Sequence, residues 1–153
     1  MNAPKDKAIH IRGRDIGTAK TKTRWIRAVT PEHGVLSGHA PSSLLQLPNI
    51  DRDFPLTLVN HPSKYIATEP WYYGVRNRFA YVQMFAERDH IWIVQSPSGG
   101  GNNNPAWDFQ WFSKSANVDQ VYGFKMRAGY VLYEDAEQLE QFAAPHLKEL
   151  NKR

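Results

Sequence analysis

Apolar and polar residues alternate along much of this chain, which is the period of strands that turn one face to a core. Residues 8–12 and 21–29 carry the pattern on either side of an Arg14-Asp15-Ile16-Gly17 turn and predict a hairpin. Residues 78–86 are apolar on both faces except at Gln83, as in a central strand, and 90–95 return beside them after the polar turn Glu87-Arg88-Asp89. In 106–112 the alternation sends Trp107, Phe109 and Trp111 to one face and Asp108 and Gln110 to the other. In 121–133 it puts Tyr122, Phe124, Met126, Ala128, Tyr130 and Leu132 on one face, and Lys125 and Arg127 with Gly123 and Gly129 on the other.

Two stretches break the pattern. Prolines and glycines interrupt 30–55 every few residues, leaving only a helical turn at 42–47, and the next two short strands are predicted at 55–60 and 64–67, around His61-Pro62-Ser63. Glu69-Pro70-Trp71-Tyr72-Tyr73-Gly74 then reads as an aromatic loop. From 134 the period becomes helical. Acidic residues load the start, Lys148, Lys152 and Arg153 the end, and Leu139, Phe142, Ala143, Leu147 and Leu150 form a stripe that Pro145 kinks or restarts.

This succession predicts a mostly β protein: an antiparallel β-sandwich or jelly-roll-like domain over 1–133, mobile at 1–7, with one C-terminal α-helix over 134–153 packed on it or on a partner. Its 153 residues, 41% apolar, suffice for one core without staples. With no cysteine there is no disulfide, thiolate nucleophile or cysteine-held metal. No apolar run is long enough for a membrane helix and the N-terminal residues lack a signal core, so the expectation is a soluble, cytoplasmic chain with no membrane partner, or a piece of a longer β protein.

The net charge of +4 is unevenly spread. Residues 1–27 hold eight Lys and Arg against Asp6 and Asp15, so the remainder is slightly acidic. Such a run is ordinarily a solvated, edge-protecting face, and a nucleic-acid site there ranks third among the readings.

The candidate chemistry gathers near the long loop at 96–105. Asp108 is the first choice for a catalytic carboxylate, Glu69 beside the aromatic cluster the second, since glycoside hydrolysis uses two carboxyl groups across one bond. His61, near Lys64 and Tyr65, is a further acid-base candidate. Trp71, Tyr72 and Tyr73 offer a stacking platform, and Gln110, Lys125, Arg127, Asn102 and Asn103 offer donors and acceptors for a polyhydroxylated ligand. No cofactor or metal is called for. His33, His39 and His61 match no metal-ligand spacing, and Gly99 to Asn104 fit a turn or lid better than a Ca²⁺ loop.

The leading expectation is therefore a carbohydrate-binding or carbohydrate-active β-sandwich that holds a glycan on its polar sheet face. The alternative is a non-catalytic protein-interaction domain whose C-terminal helix or basic N-terminal segment engages another protein; a second copy, joined through a sheet edge or the C-terminal helix, is a further expected partner.

Overall fold

A computed structural model describes residues 8–17, 22–29, 36–45, 61–96, 106–112 and 117–152, with the backbone alone at Ser96, Ala106 and Trp107. The strands are β1 (Ala8–Asp15), β2 (Arg24–Val29), β3 (Gly38–Pro41), β4 (Pro62–Arg76), β5 (Phe79–Phe85), β6 (Trp92–Ser96), β7 (Ala106–Gln110) and β8 (Met126–Leu132), followed by the helix α1 (Ala136–Leu150).

The long strand β4 organises the sheet. Along one edge it takes β1, which forms the expected antiparallel hairpin with β2. Its other edge takes β3 in parallel along the first half and β5 antiparallel along the second. The sheet forks there: β3 leads to β6 and β7, and β5 leads to β8. The mostly β class with one C-terminal helix holds. The pairing itself is a single mixed sheet, and it does not establish a sandwich or jelly roll.

Residues 69–74 are corrected from a loop to the middle of β4, and Pro70 explains why the sequence misleads. The β1 register jumps from Gly13↔Ala67 to Ile11↔Tyr72, the β3 pairing ends at Ala67, and the β5 pairing begins at Trp71. Pro70 thus sits where neither edge is laddered, and its missing N–H removes no sheet bond. Gly13 lies at the same irregularity. A Cβ there would come inside 3.0 Å of the Ile66 carbonyl oxygen, a backbone atom that cannot swing away. Gly13→Ala is expected to cost about 1–3 kcal/mol in urea unfolding, with the β1–β4 register as the casualty. An unchanged midpoint would show that β4 has room to shift.

Other boundaries differ too. β3 falls inside the stretch read as irregular, and residues 121–125 lead into β8 without joining its ladder. The strand expected at 55–60 lies outside the described residues.

The core divides between the faces. Ile9, Ile11, Ile26, Ala28, Tyr72, Phe85, Ile91 and Ile93 pack together between the two branches, with Phe109 and Trp111 against them. Trp71, Tyr73, Val82 and Met84 pack on the opposite face with Leu139, Ala143 and Leu150 of α1, flanked by Phe142 and Leu147. The predicted stripe therefore docks on the chain's own sheet. The Asp135 carboxylate caps α1 by accepting from the Gln138 N–H at 2.8 Å. Pro145 is on the exposed side of a helix that runs through it without restarting. The carbonyl it leaves unbonded, that of exposed Gln141, is available to water.

Candidate functional site

The apolar face of β8 is open in the structure. Tyr130 is 53% exposed, Leu132 49% and its cross-strand neighbour Phe79 46%, with Met126 and Phe124 also exposed. The same face of β5 is buried at Phe85 and Gln83, so it runs from core at one end to solvent at the other. The Tyr81 and Tyr130 rings meet at 5.0 Å. Beneath them Gln83 Nε2 donates to the Tyr81 hydroxyl at 2.8 Å, and the Tyr72 hydroxyl donates to Gln83 Oε1. Burial, with smaller contributions from Tyr81 and Asp108, pushes the Tyr72 phenol well above its ordinary range, so Tyr72 acts as a fixed donor.

At the start of β8 the open face meets a cleft of about 570 Å³, lined by Phe124, Lys125, Met126, Arg127, Glu149 and Leu150. Aromatic contacts of Phe124 with Phe109 (5.2 Å) and Trp111 (6.1 Å) hold its wall, and the Lys125 N–H donates to Asp89 Oδ2 at 2.9 Å. Arg127 Nη1 donates to His146 Nδ1 of α1 at 2.9 Å. Glu149 is already paired with Lys152 at 2.6 Å, and the hydrogen bond and charge from that lysine lower its pKa. The cleft thus combines apolar walls with two cations and a carboxylate whose charge is largely answered.

A second constellation lies over the hairpin on the α1 face. Arg12 Nε is 3.7 Å from Glu69 Oε1 and 3.4 Å from Glu140 Oε1, while its guanidinium lies 5.4 Å from the Trp25 ring centroid. Trp25 Nε1 donates to Glu140 at 2.9 Å and Trp71 Nε1 to Glu69 at 2.7 Å. The two carboxylates share a guanidinium that stands between them, an arrangement that ties α1 to the hairpin and leaves no gap for a bond to be cleaved.

A third, buried group joins β3, β4 and β6. His39 Nδ1 is 2.6 Å from Ser63 Oγ and His39 Nε2 is 3.1 Å from Gln95 Oε1. Serine, histidine and a third polar group follow in order, as in a hydrolase, but the third group is an amide without charge. Burial lowers His39 to about 4, against a smaller upward pull from the Gln95 hydrogen bond, and both Ser63 and His39 are buried. Such a base is weak at neutral pH and closed to substrate, so the geometry is structural.

The residues singled out from sequence come together only in part: Asp108 near Tyr72, Glu69 on Trp71, and Lys125 with Arg127 at the cleft. Trp71, Tyr72 and Tyr73 are 1%, 0% and 2% exposed and belong to opposite core faces, so they form no loop platform. Glu69 is engaged by Arg12 and Trp71, while Asp108, on β7, comes near enough to Tyr72 for its charge to bear on that phenol. Gln110 stands opposite Trp92, and Gln110 Oε1 and Trp92 Nε1 are both buried without a hydrogen-bond partner. Half-buried His61 contributes a carbonyl that accepts from the Gly38 N–H at 2.9 Å. Arg127 turns to α1 and Lys125 to the cleft. Asn102, Asn103, the Gly/Asn loop with its Ca²⁺ alternative, and His33 lie outside the described residues.

Among the described residues no group of three or more His, Asp or Glu could hold a metal ion, and no helix is long and apolar enough to cross a membrane. The hairpin register places Arg12 directly opposite Trp25, so that pair was legible from the alternation once the turn was found. Nothing local announced the contact with Glu140, which comes from packing of α1. No family model matches the chain, and neither the curated proteins nor the solved structures provide a match.

Proposed function

We propose that this chain is a non-catalytic protein-interaction domain whose contact surface is the open face of β5 and β8. The observation that carries the reading is the row Phe79, Tyr130, Leu132, Met126 and Phe124, large apolar and aromatic side chains left in solvent on adjacent strands and continuous with the core at Phe85. Scattered exposed apolar residues are ordinary, but a contiguous row of aromatic, Met and Leu side chains beside a cationic rim has the make-up of a recognition surface. The catalytic reading loses ground because Glu69 is held by Arg12 and the Trp71 indole, and the Ser63–His39 pair is buried away from substrate.

A photo-crosslinking side chain placed at Tyr130 of the full chain in its host cells tests this. The expected result is a discrete crosslinked protein that excess untagged chain competes away and that Leu132→Asp abolishes. Crosslinking of the same strength from Val29, exposed on the hairpin, or insensitive to Leu132→Asp, sinks the proposal.

Glycan recognition is the second reading, and what favours it is the exposed Tyr130 ring against Tyr81, an aromatic surface on which a sugar face can stack. It predicts glycan retention that persists at high salt and disappears in Tyr130→Ala. A glycan array that stays blank removes it.

A further inference from the structure

We infer that the cleft between the start of β8 and the end of α1 is a binding site for a small carboxylic acid with an apolar body. Its carboxylate is received by Lys125 and Arg127, and its body lies against Phe124, Met126 and Leu150. The site goes beyond the protein-interaction reading, since it asks nothing of the exposed residues farther along β8.

Both walls of the cleft are fastened to one turn. Residues 121–125 join no ladder, yet the Lys125 N–H donates to Asp89 Oδ2 at 2.9 Å and the Lys125 carbonyl accepts from the Ala86 N–H at 3.2 Å. On the opposite wall Arg88 Nη1 donates to the Leu150 carbonyl at 3.0 Å, and the Glu87 N–H donates to Asn151 Oδ1 at 2.8 Å. The 3₁₀ turn Glu87–Asp89 thus clips the end of α1 to the start of β8, and the rings of Phe109 and Trp111 brace Phe124. A concavity held from both sides loses little further freedom when a ligand enters. Its volume of about 570 Å³ falls within the range of roughly 300–1,000 Å³ for small-molecule sites, which favours a free acid over a protein face.

Charge decides the chemistry of the ligand. The lining holds two cations and one carboxylate, and that carboxylate, Glu149, is paired with Lys152 at 2.6 Å. The Leu150 carbonyl at the end of the helix is answered by Arg88, and Asp89 by the Lys125 N–H. Neither Lys125 nor Arg127 has an ion-pair partner among the described residues. Arg127 donates to His146 Nδ1, a bond that uses one of its five N–H groups, and bears on Glu149 only as a more distant charge. A carboxylate takes charge-assisted bonds from both cations, whereas an amine of the same shape meets two like charges. Phe124 and Met126 are 37% and 36% exposed, and an apolar body laid on them takes that surface out of water.

The test is titration of the full chain with phenylpropionate and with octanoate, followed by backbone amide chemical shifts, beside the primary amides and the amines of the same shapes. Saturable shifts are expected at 124–127 and 149–150 with the acids. The amides should bind about tenfold more weakly or worse, and so should the acids to the Lys125→Gln/Arg127→Gln double variant. Should that variant fold poorly, the comparison of acid with amide on the parent chain decides alone.

Amides or amines that match the acids, shifts centred on Tyr130 and Leu132 instead of the cleft, or no saturation at millimolar concentrations overturn the inference. So do acidic peptides that move the cleft signals where both free acids leave them in place, a result that keeps the interaction reading and removes this one.

Discussion

Trp71→Ala is expected to lower the stability of the domain by about 3–5 kcal/mol, the range for emptying a buried aromatic site. The indole is 1% exposed, packs edge-on against Trp25 with centroids at 5.2 Å, and lies 6.2 Å from the Tyr73 ring. Its cross-strand neighbour is buried Met84 of β5, and α1 closes the same cluster. Truncation opens a cavity at the junction of β2, β4, β5 and the helix, and these elements cannot all collapse into it.

The N–H adds a second loss. Trp71 Nε1 donates to Glu69 at 2.7 Å, so removing it leaves that carboxylate to Arg12 alone. Trp71→Phe keeps most of the packing and should cost less, by the order of one charge-assisted hydrogen bond plus a partial cavity. Thermal melts should show the Ala variant lower by roughly 10 °C, at about 2–4 °C for each kcal/mol in a domain of this size. A Trp71→Ala variant that melts like the parent would contradict the core assignment and return Trp71, Tyr72 and Tyr73 to the role of a ligand platform.

That contrast shows which parts of the molecule were legible in its sequence. Alternation located seven of the eight strands at least in part, since it depends only on which face each side chain takes, and the helical stripe 139–143–147–150 identified the docked face of α1. The three aromatics after Pro70 were misplaced because a proline at a fork in the sheet looks locally like a proline in a loop. Only the pairing partners of β4, remote in sequence, distinguish the two.

The apolar face of β8 shows where periodicity stops. Its period was right, but periodicity says that a face is apolar, not that anything covers it. β3 was missed because four residues, Gly-His-Ala-Pro, are too few to show a period, and its place is fixed by neighbours on both edges. The candidate carboxylates were chosen for their aromatic surroundings in the sequence, and Glu69 is held instead by the Trp71 indole and by Arg12, which it shares with Glu140.

Buried His39 should make stability depend on pH in a window that a single substitution removes. Gln95 Nε2 is committed to the Ala28 carbonyl at 2.9 Å, so its Oε1 faces His39 as an acceptor and His39 Nε2 must carry the proton. His39 Nδ1 is then the acceptor for the Ser63 hydroxyl at 2.6 Å, and Ser63 Oγ in turn accepts from the Tyr65 N–H at 3.0 Å. Every group is satisfied with a neutral ring.

A second proton would not strand a hydrogen bond, because the Ser63 hydroxyl can turn to the Tyr65 carbonyl at 3.2 Å and accept from Nδ1. The cost of protonation is instead that of a charge without water, which is why burial leads the causes that hold His39 at about 4. The unfolded chain has the ordinary histidine value near 6.5 and binds the proton first. Stability from this group is therefore complete above about pH 7, is lost as the pH falls through the window from 6.5 to 4, and changes no further below it. The full loss is about 3 kcal/mol.

His39→Gln keeps a donor toward Gln95 and cannot titrate. Urea midpoints of parent and variant should converge as the pH is lowered from about 7 to 4, because the parent alone loses this contribution while all other groups titrate in both. A parent-minus-variant difference that stays flat across that range would mean that His39 reaches solvent, and would reopen the Ser63–His39 pair as a site for chemistry.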